Sequence, residues 1–229
     1  YAAKKNMIAL AFCNSDSFVR LYDGAERFHG TNPISMAVPS GEQDPWLFDM
    51  ATSSVPFNRV ELFRSLDQKL PLDVASDESG NSTQDPHIAE MLDPLGAKFG
   101  FKGAGLGGIS EIFSAVLTGM KLSPELLPMS GPDMTTPREL GAFVMAIDPE
   151  GFVGSFLFKE GMQRYLSLLR NSTAKEKSLV MAPGDREWQT ARQRDKDGVV
   201  LDPVTSDQFR LLAERFGISS KFDLWSDYD

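Results

Sequence analysis

Phe101-Lys102-Gly103-Ala104-Gly105-Leu106-Gly107-Gly108 contains a literal G-x-G-x-x-G, from Gly103 to Gly108, and its reading decides the fold. As the fingerprint of a parallel, doubly wound nucleotide-binding sheet, it requires a buried strand directly before the glycines. It also requires an acidic residue at the end of the next strand, about twenty residues on. Neither is present. Gly96 to Lys102 is rich in glycine and lysine, and downstream the prolines at 124, 128, 132 and 137 exclude regular structure. A Rossmann unit is therefore not expected here. A glycine stretch that opens a helix still offers unpaired N–H groups and the positive end of the helix dipole, which suit a phosphate, and Lys102 adds a full charge. The bland alternative is that the glycines only let a helix pack closely.

Outward from this motif, Met7–Cys13, Ile34–Pro39, Trp46–Met50 and Ala142–Ile147 read as short apolar strands. Helices are expected near Asn58, from Gly105 to Met120, through Phe158–Leu169, over Arg186–Lys196, and from Thr205, where Thr205 and Gln208 form a capping box that Gly217 ends. Strands interleaved with helices without a regular β-α alternation predict an α+β-like fold, with a mixed, largely antiparallel sheet flanked by helices. The expected division is a core over 1–202 and a C-terminal helix and tail, 203–229, packing on it. The run Ser76 to Thr83 is turn chemistry around Gly80, and its acidic residues lack the spacing of a calcium loop.

Composition narrows the function. Of 229 residues, 23 are Lys or Arg and 32 Asp or Glu, for a net charge of −9, which argues against a nucleic-acid surface. No apolar run reaches the length of a membrane span. One cysteine, Cys13, forbids an internal disulfide and makes the cytoplasm the default setting, and no Cys/His cluster supplies a metal site.

Four stretches carry the functional reading: Gly30-Thr31-Asn32-Pro33-Ile34, Phe48-Asp49-Met50-Ala51-Thr52-Ser53, Phe101 to Leu106, and Pro183-Gly184-Asp185-Arg186. A carboxylate at a strand end, as at Asp49, can accept ribose hydroxyls, and it can equally cap the next turn. Arg186 suits a phosphate, whereas Asp185 suits ribose hydroxyls and repels a 2′-phosphate, so the choice between NAD and NADP stays open. In this order and at these intervals the four stretches resemble the type-2 malate/L-lactate dehydrogenase family. Asp77, Gly80, Thr83, Asp85-Pro86 and Ala146-Ile147-Asp148-Pro149 extend the resemblance from about Asn14 to about Asp202.

The resemblance implies an NAD(P)-dependent oxidoreductase acting on small 2-oxo or 2-hydroxy acids, or on cyclic 2-imino acids, and a homodimer. It implies cofactor contacts from Pro45, Trp46, Leu47, Phe48, Asp49, Met50, Ala51, Thr52 and Ser53, from Phe101, Lys102 and Gly103, and from Gly184, Asp185 and Arg186. Where some imine-reducing relatives carry a catalytic aspartate, this chain has Asn58-Arg59, and Arg59 reads either as a contact for a substrate carboxylate or as an exposed helix charge. The family's Ser-His-Gly motif, with its proton-donating histidine, is not among these residues. His29 and His87 are the only histidines, and neither sits in the family's position. The chain thus reads as the cofactor-binding portion of an oxidoreductase, with its proton donor expected upstream and no turnover expected from it alone. The competing class is a catalytically incomplete copy used for oligomerisation or nucleotide sensing.

Overall fold

The structure, a computed structural model, describes residues 1–41 and 44–218. The tail of the expected C-terminal segment, 219–229, lies outside the described residues. In chain order the elements are β1 (Ile8–Cys13), β2 (Val19–Arg20), β3 (Arg27–His29), β4 (Ile34–Val38), β5 (Trp46–Met50), α1 (Phe57–Ser65), β6 (Ala75–Ser76) and β7 (Met91–Leu92). They continue with α2 (Gly100–Glu111), β8 (Ala142–Ile147), α3 (Ser155–Arg170), α4 (Asp185–Asp197) and α5 (Pro203–Arg215). Two compact units divide between Thr190 and Ala191, inside α4.

One sheet has the order β5-β4-β1-β8, and every pairing in it is antiparallel. A second, of order β3-β2-β7-β6, has one parallel contact, between β2 and β7. The expected mixed, largely antiparallel architecture is present, split over two sheets. α2 makes no parallel crossover, because β7 before it belongs to the second sheet and β8 after it to the first. This is why the glycine motif does not build a Rossmann unit.

Alternation along β1 sorts the first sheet into two faces. Ala9, Ala11 and Cys13 pair across to Ala146, Val144 and Ala142, and Ala11 faces Ser35, which faces Asp49. Phe12 and Phe143 lie on the other face, where Phe113 stacks on Phe12 at 5.0 Å between ring centroids. The second sheet has its own core of Val19, Val60, Leu70, Val74, Ala75, Ala89 and Leu92. α1 docks there through the fully buried Val60.

Several helix ends differ from the sequence reading. α2 begins at Gly100, so Phe101, Lys102 and Gly103 lie within its first turn, and beyond Glu111 it continues as a π-helical turn, Ile112–Val116. α1 follows Pro56 with no side-chain cap, and Asn58 lies inside the helix. At α5 the cap is Asp202, whose carboxylate accepts from the Thr205 N–H, with Pro203 in the first turn. Thr205 is one turn too late because proline already supplies the helical φ at the first position.

Candidate cofactor site

β5 is the edge strand of the first sheet, and both other cofactor stretches reach it from opposite ends. At its start, the Leu47 N–H donates to the Pro183 carbonyl at 3.1 Å, and the Trp188 indole donates to the Pro45 carbonyl at 2.9 Å. Gly184, buried with φ +95°, lies so close that a Cβ there would stand 3.0 Å from the Leu47 nitrogen. Just past its other end, Thr52 donates its N–H to the Thr31 carbonyl, and the Thr52 carbonyl accepts from Leu95 N–H. The Leu95 carbonyl in turn accepts from Gly103 N–H at 3.1 Å. From Leu47 to Thr52 an extended strand spans about 17 Å.

The individual residues divide by what remains available to a ligand. Asp49 is exposed, and its carboxylate faces the same side of the sheet as Cys13, whose thiol pKa is raised by burial and by the Asp49 charge. Lys102 is exposed, with its ammonium 5.4 Å from the Phe99 ring centroid, and Phe101 meets Tyr22 edge-on. Arg186 is exposed at the start of α4. The Trp46 ring stacks near Phe48, and its Nε1 is the one buried side-chain polar atom among the described residues without a hydrogen-bond partner.

Other expected contacts are already used by the protein. Thr52 and Ser53 are buried, and their hydroxyls donate to the carbonyls of Thr31, Asn32 and Val55, so they shape the strand end and offer no free donor to a phosphate. Gly103 likewise offers no free N–H, and a Cβ on it would sit 2.2 Å from the Leu95 oxygen. The close-packing reading of this glycine is the one its surroundings bear out. Asp185 pairs with Arg170 at 2.8 Å and accepts from Ala182 N–H. Met50, at the end of β5, and Ala51, just past it, are half-buried. Arg59 is exposed on α1 and takes no part in these contacts.

Asn32, from the Gly30–Ile34 stretch, forms a buried cluster beneath the strand end with three polar residues to which the sequence reading gave no role, Asn14, Glu111 and Ser123. Glu111 Oε2 accepts from Asn32 Nδ2 at 2.6 Å and Ser123 Oγ at 2.7 Å, while Oε1 accepts from Ser123 N–H at 2.6 Å. His29, buried on β3, lies against Gly107, where an added Cβ would stand 3.1 Å from its Nδ1, and burial lowers its pKa against the opposing pull of Glu111. The one sequence signal for this cluster is a Glu on the α2 stripe between apolar residues.

An exposed carboxylate, an exposed ammonium, a buried indole N–H lacking an acceptor and a tight glycine turn along one strand suit a dinucleotide, which carries hydroxyls, phosphates and aromatic rings. No group of three or more metal-binding side chains occurs among the described residues. None of the helices there is long and apolar enough to cross a membrane.

The chain is 31% identical over 205 residues to ureidoglycolate dehydrogenase (NAD(+)) of Escherichia coli K12, covering 89% of this chain and 58% of the relative. It is 32% identical over 218 residues to the Δ1-pyrroline-2-carboxylate/Δ1-piperideine-2-carboxylate reductase of Pseudomonas putida, covering 94% and 60%. Among solved structures, malate dehydrogenase from Entamoeba histolytica superposes with a TM-score of 0.84 at 27% identity, over 94% of this chain and 63% of that one. The chain therefore spans less than two thirds of the length of these relatives. The sequence profile of malate/L-lactate dehydrogenases matches residues 1–210, and the chain belongs to that family.

Proposed function

We propose that the protein to which these residues belong is an NAD(P)-dependent oxidoreductase acting at C2 of a small 2-oxo or 2-hydroxy acid, or of a cyclic 2-imino acid. The observation that carries this reading is the run of family stretches along one edge strand, β5, with exposed Asp49 and Lys102 and the Gly184 turn against Leu47. Bound NAD or NADP supplies the hydride chemistry. This chain's own residues bind and orient: Asp49 toward ribose hydroxyls, Lys102 and Arg186 toward phosphates, Trp46 and Phe48 as an apolar wall, and Arg59 toward a substrate carboxylate. Neither histidine suits proton donation. His29 is buried with a lowered pKa, and His87 is exposed beside Asp67 on a loop.

A homodimer is the proposed assembly. It is supported by an inverted helix: α2 turns Ser110, Glu111 and Ser114 inward, while Phe101, Ile109, Ile112 and Val116 face outward, Val116 being 62% exposed. Apart from Lys102 this outward face is apolar, a surface for another protein surface, not for water. The cytoplasmic location is supported by the lone Cys13.

The test is titration of NADH or NADPH against the chain with and without pyruvate, oxaloacetate or a cyclic imino acid, using acetone as the control carbonyl. Tighter cofactor binding with the acids and not with acetone supports the reading. An absence of any acid-dependent effect overturns the substrate class.

A further inference from the structure

We propose that Glu111 is a positioning residue for the cofactor site, acting through Asn32 on the end of β5. The inference rests on the cofactor reading above. Glu111 is buried, yet no cation among the described residues forms a salt bridge with it. Its carboxylate is held by donors alone: Asn32 Nδ2, Ser123 N–H, Ser123 Oγ and, at 3.4 Å, Asn14 Nδ2. Keeping a carboxylate in such a place is costly unless its lone pairs are satisfied, and here they are.

What this arrangement fixes is the conformation of Asn32. That residue is fully buried with φ +36°, in the left-handed region that a side chain disfavours. Its amide is tied to Glu111 and to the Gly107 carbonyl, both on α2. The backbone so fixed presents the Thr31 and Asn32 carbonyls to Thr52, which donates its N–H to the first and its hydroxyl to both. Thr52 continues to Leu95, and Leu95 to Gly103, one residue from Lys102. The links close a ring: α2 at Glu111, Asn32, Thr52, Leu95, and α2 again at Gly103. Asp49 and Lys102, from separate parts of the chain, are thereby referred to one rigid frame.

Glu111→Gln tests this, because it turns one acceptor oxygen into an amide that faces donors. The readout is the dissociation constant of NADH and NADPH, followed by nicotinamide fluorescence under conditions where circular dichroism shows a folded chain. E111Q is expected to weaken binding by about tenfold, the scale of a buried group left without its partner. Asn14→Ala, which removes a Glu111 donor that makes no bond to Asn32, along with its bonds to Lys121 and Gly141, is expected to lower the melting temperature and leave affinity within about twofold, a margin worth only a few tenths of a kcal/mol. Should E111Q not fold, Asn32→Gly serves instead. It tolerates the positive φ, loses only the amide, and is expected to weaken binding likewise. A folded E111Q or N32G that binds as tightly as the unaltered chain overturns the inference while the cofactor reading stands. Equal loss of affinity in N14A overturns it too, by reducing Glu111 to general stability. If the unaltered chain binds neither nucleotide, the cofactor reading falls and this inference falls with it.

Discussion

Gly184 and Leu47 are in van der Waals contact through a position only glycine fills: at φ +95°, an added Cβ would stand 3.0 Å from the Leu47 nitrogen and 3.1 Å from its Cβ. This contact seats the Pro183–Arg186 turn on the start of β5, where the Leu47 N–H already binds the Pro183 carbonyl. Gly184→Ala is accordingly expected to cost roughly 1–3 kcal/mol, from backbone strain and displacement of the turn. A thermal melt with a matched cofactor titration checks it. Unchanged stability would show that the turn relaxes freely and does not define this end of the site.

The glycines of α2 make a sharper comparison. Gly103 has no room for a side chain beside Leu95, whereas Gly105 has nothing within 4 Å. Gly103→Ala is expected to destabilise by about 1–3 kcal/mol, since it overpacks against backbone. Gly105→Ala is expected to be neutral or to stabilise by about 0.5–1 kcal/mol, by restricting the unfolded chain and improving helix propensity. Chemical denaturation of both variants decides. The opposite ordering would mean that the phosphate-loop reading of the motif is the better one.

Cys13 reports on Asp49 without any ligand. Burial and then the Asp49 charge raise the thiol pKa above its ordinary 9.0. Removing that charge in Asp49→Asn lowers the thiol pKa, increases the thiolate fraction at fixed pH and speeds alkylation. Stopped-flow labelling measures the rate. An unchanged rate in the variant would place the Asp49 carboxylate away from the Cys13 face.

His29 gives the chain a pH dependence of known sign. Burial is the main cause of its lowered pKa, with Glu111 on α2 pulling the other way. The unfolded chain then binds more protons at this site, so the contribution of neutral His29 is full above its ordinary value of 6.5 and is lost as pH falls through the lowered folded value. His29→Gln is expected to flatten the melting temperature between about pH 7 and pH 5, the range over which histidine titrates. Parallel curves for the two proteins would contradict it.

Much of the first sheet is legible in the sequence. Ala142–Ile147 is an uninterrupted apolar run and Trp46–Met50 an apolar run broken only by Asp49, and both are strands over those residues. The second sheet is not, because β2, β6 and β7 are two residues long and their pairing is decided by tertiary contact. The start of α2 was hidden for a related reason. Glycines at 100, 103 and 105 have poor helix propensity, and the close approach to Leu95 overrides it. Asp49 and Lys102 stand out in the sequence as charged residues beside a strand end and a glycine turn, and both are exposed in the structure. Glu111 does not stand out, since a glutamate in a helix ordinarily signals a solvated face, and only the fold reveals that Asn32 and Ser123 turn toward it.

One nicotinamide cofactor is proposed to lie along β5, between the Gly184 turn and Lys102. The most direct measurement is a fluorescence titration of NADH and NADPH, exciting tryptophan and following emission from the nicotinamide, for the unaltered chain and for Lys102→Ala, Asp49→Asn and Trp46→Phe. Trp46 and Trp188 both stand at the start of β5. Saturable energy transfer is expected in the unaltered chain, with weaker binding in Lys102→Ala and Asp49→Asn and a reduced transfer amplitude in Trp46→Phe. Saturable binding that none of the three substitutions alters, or no binding at all, would contradict this placement.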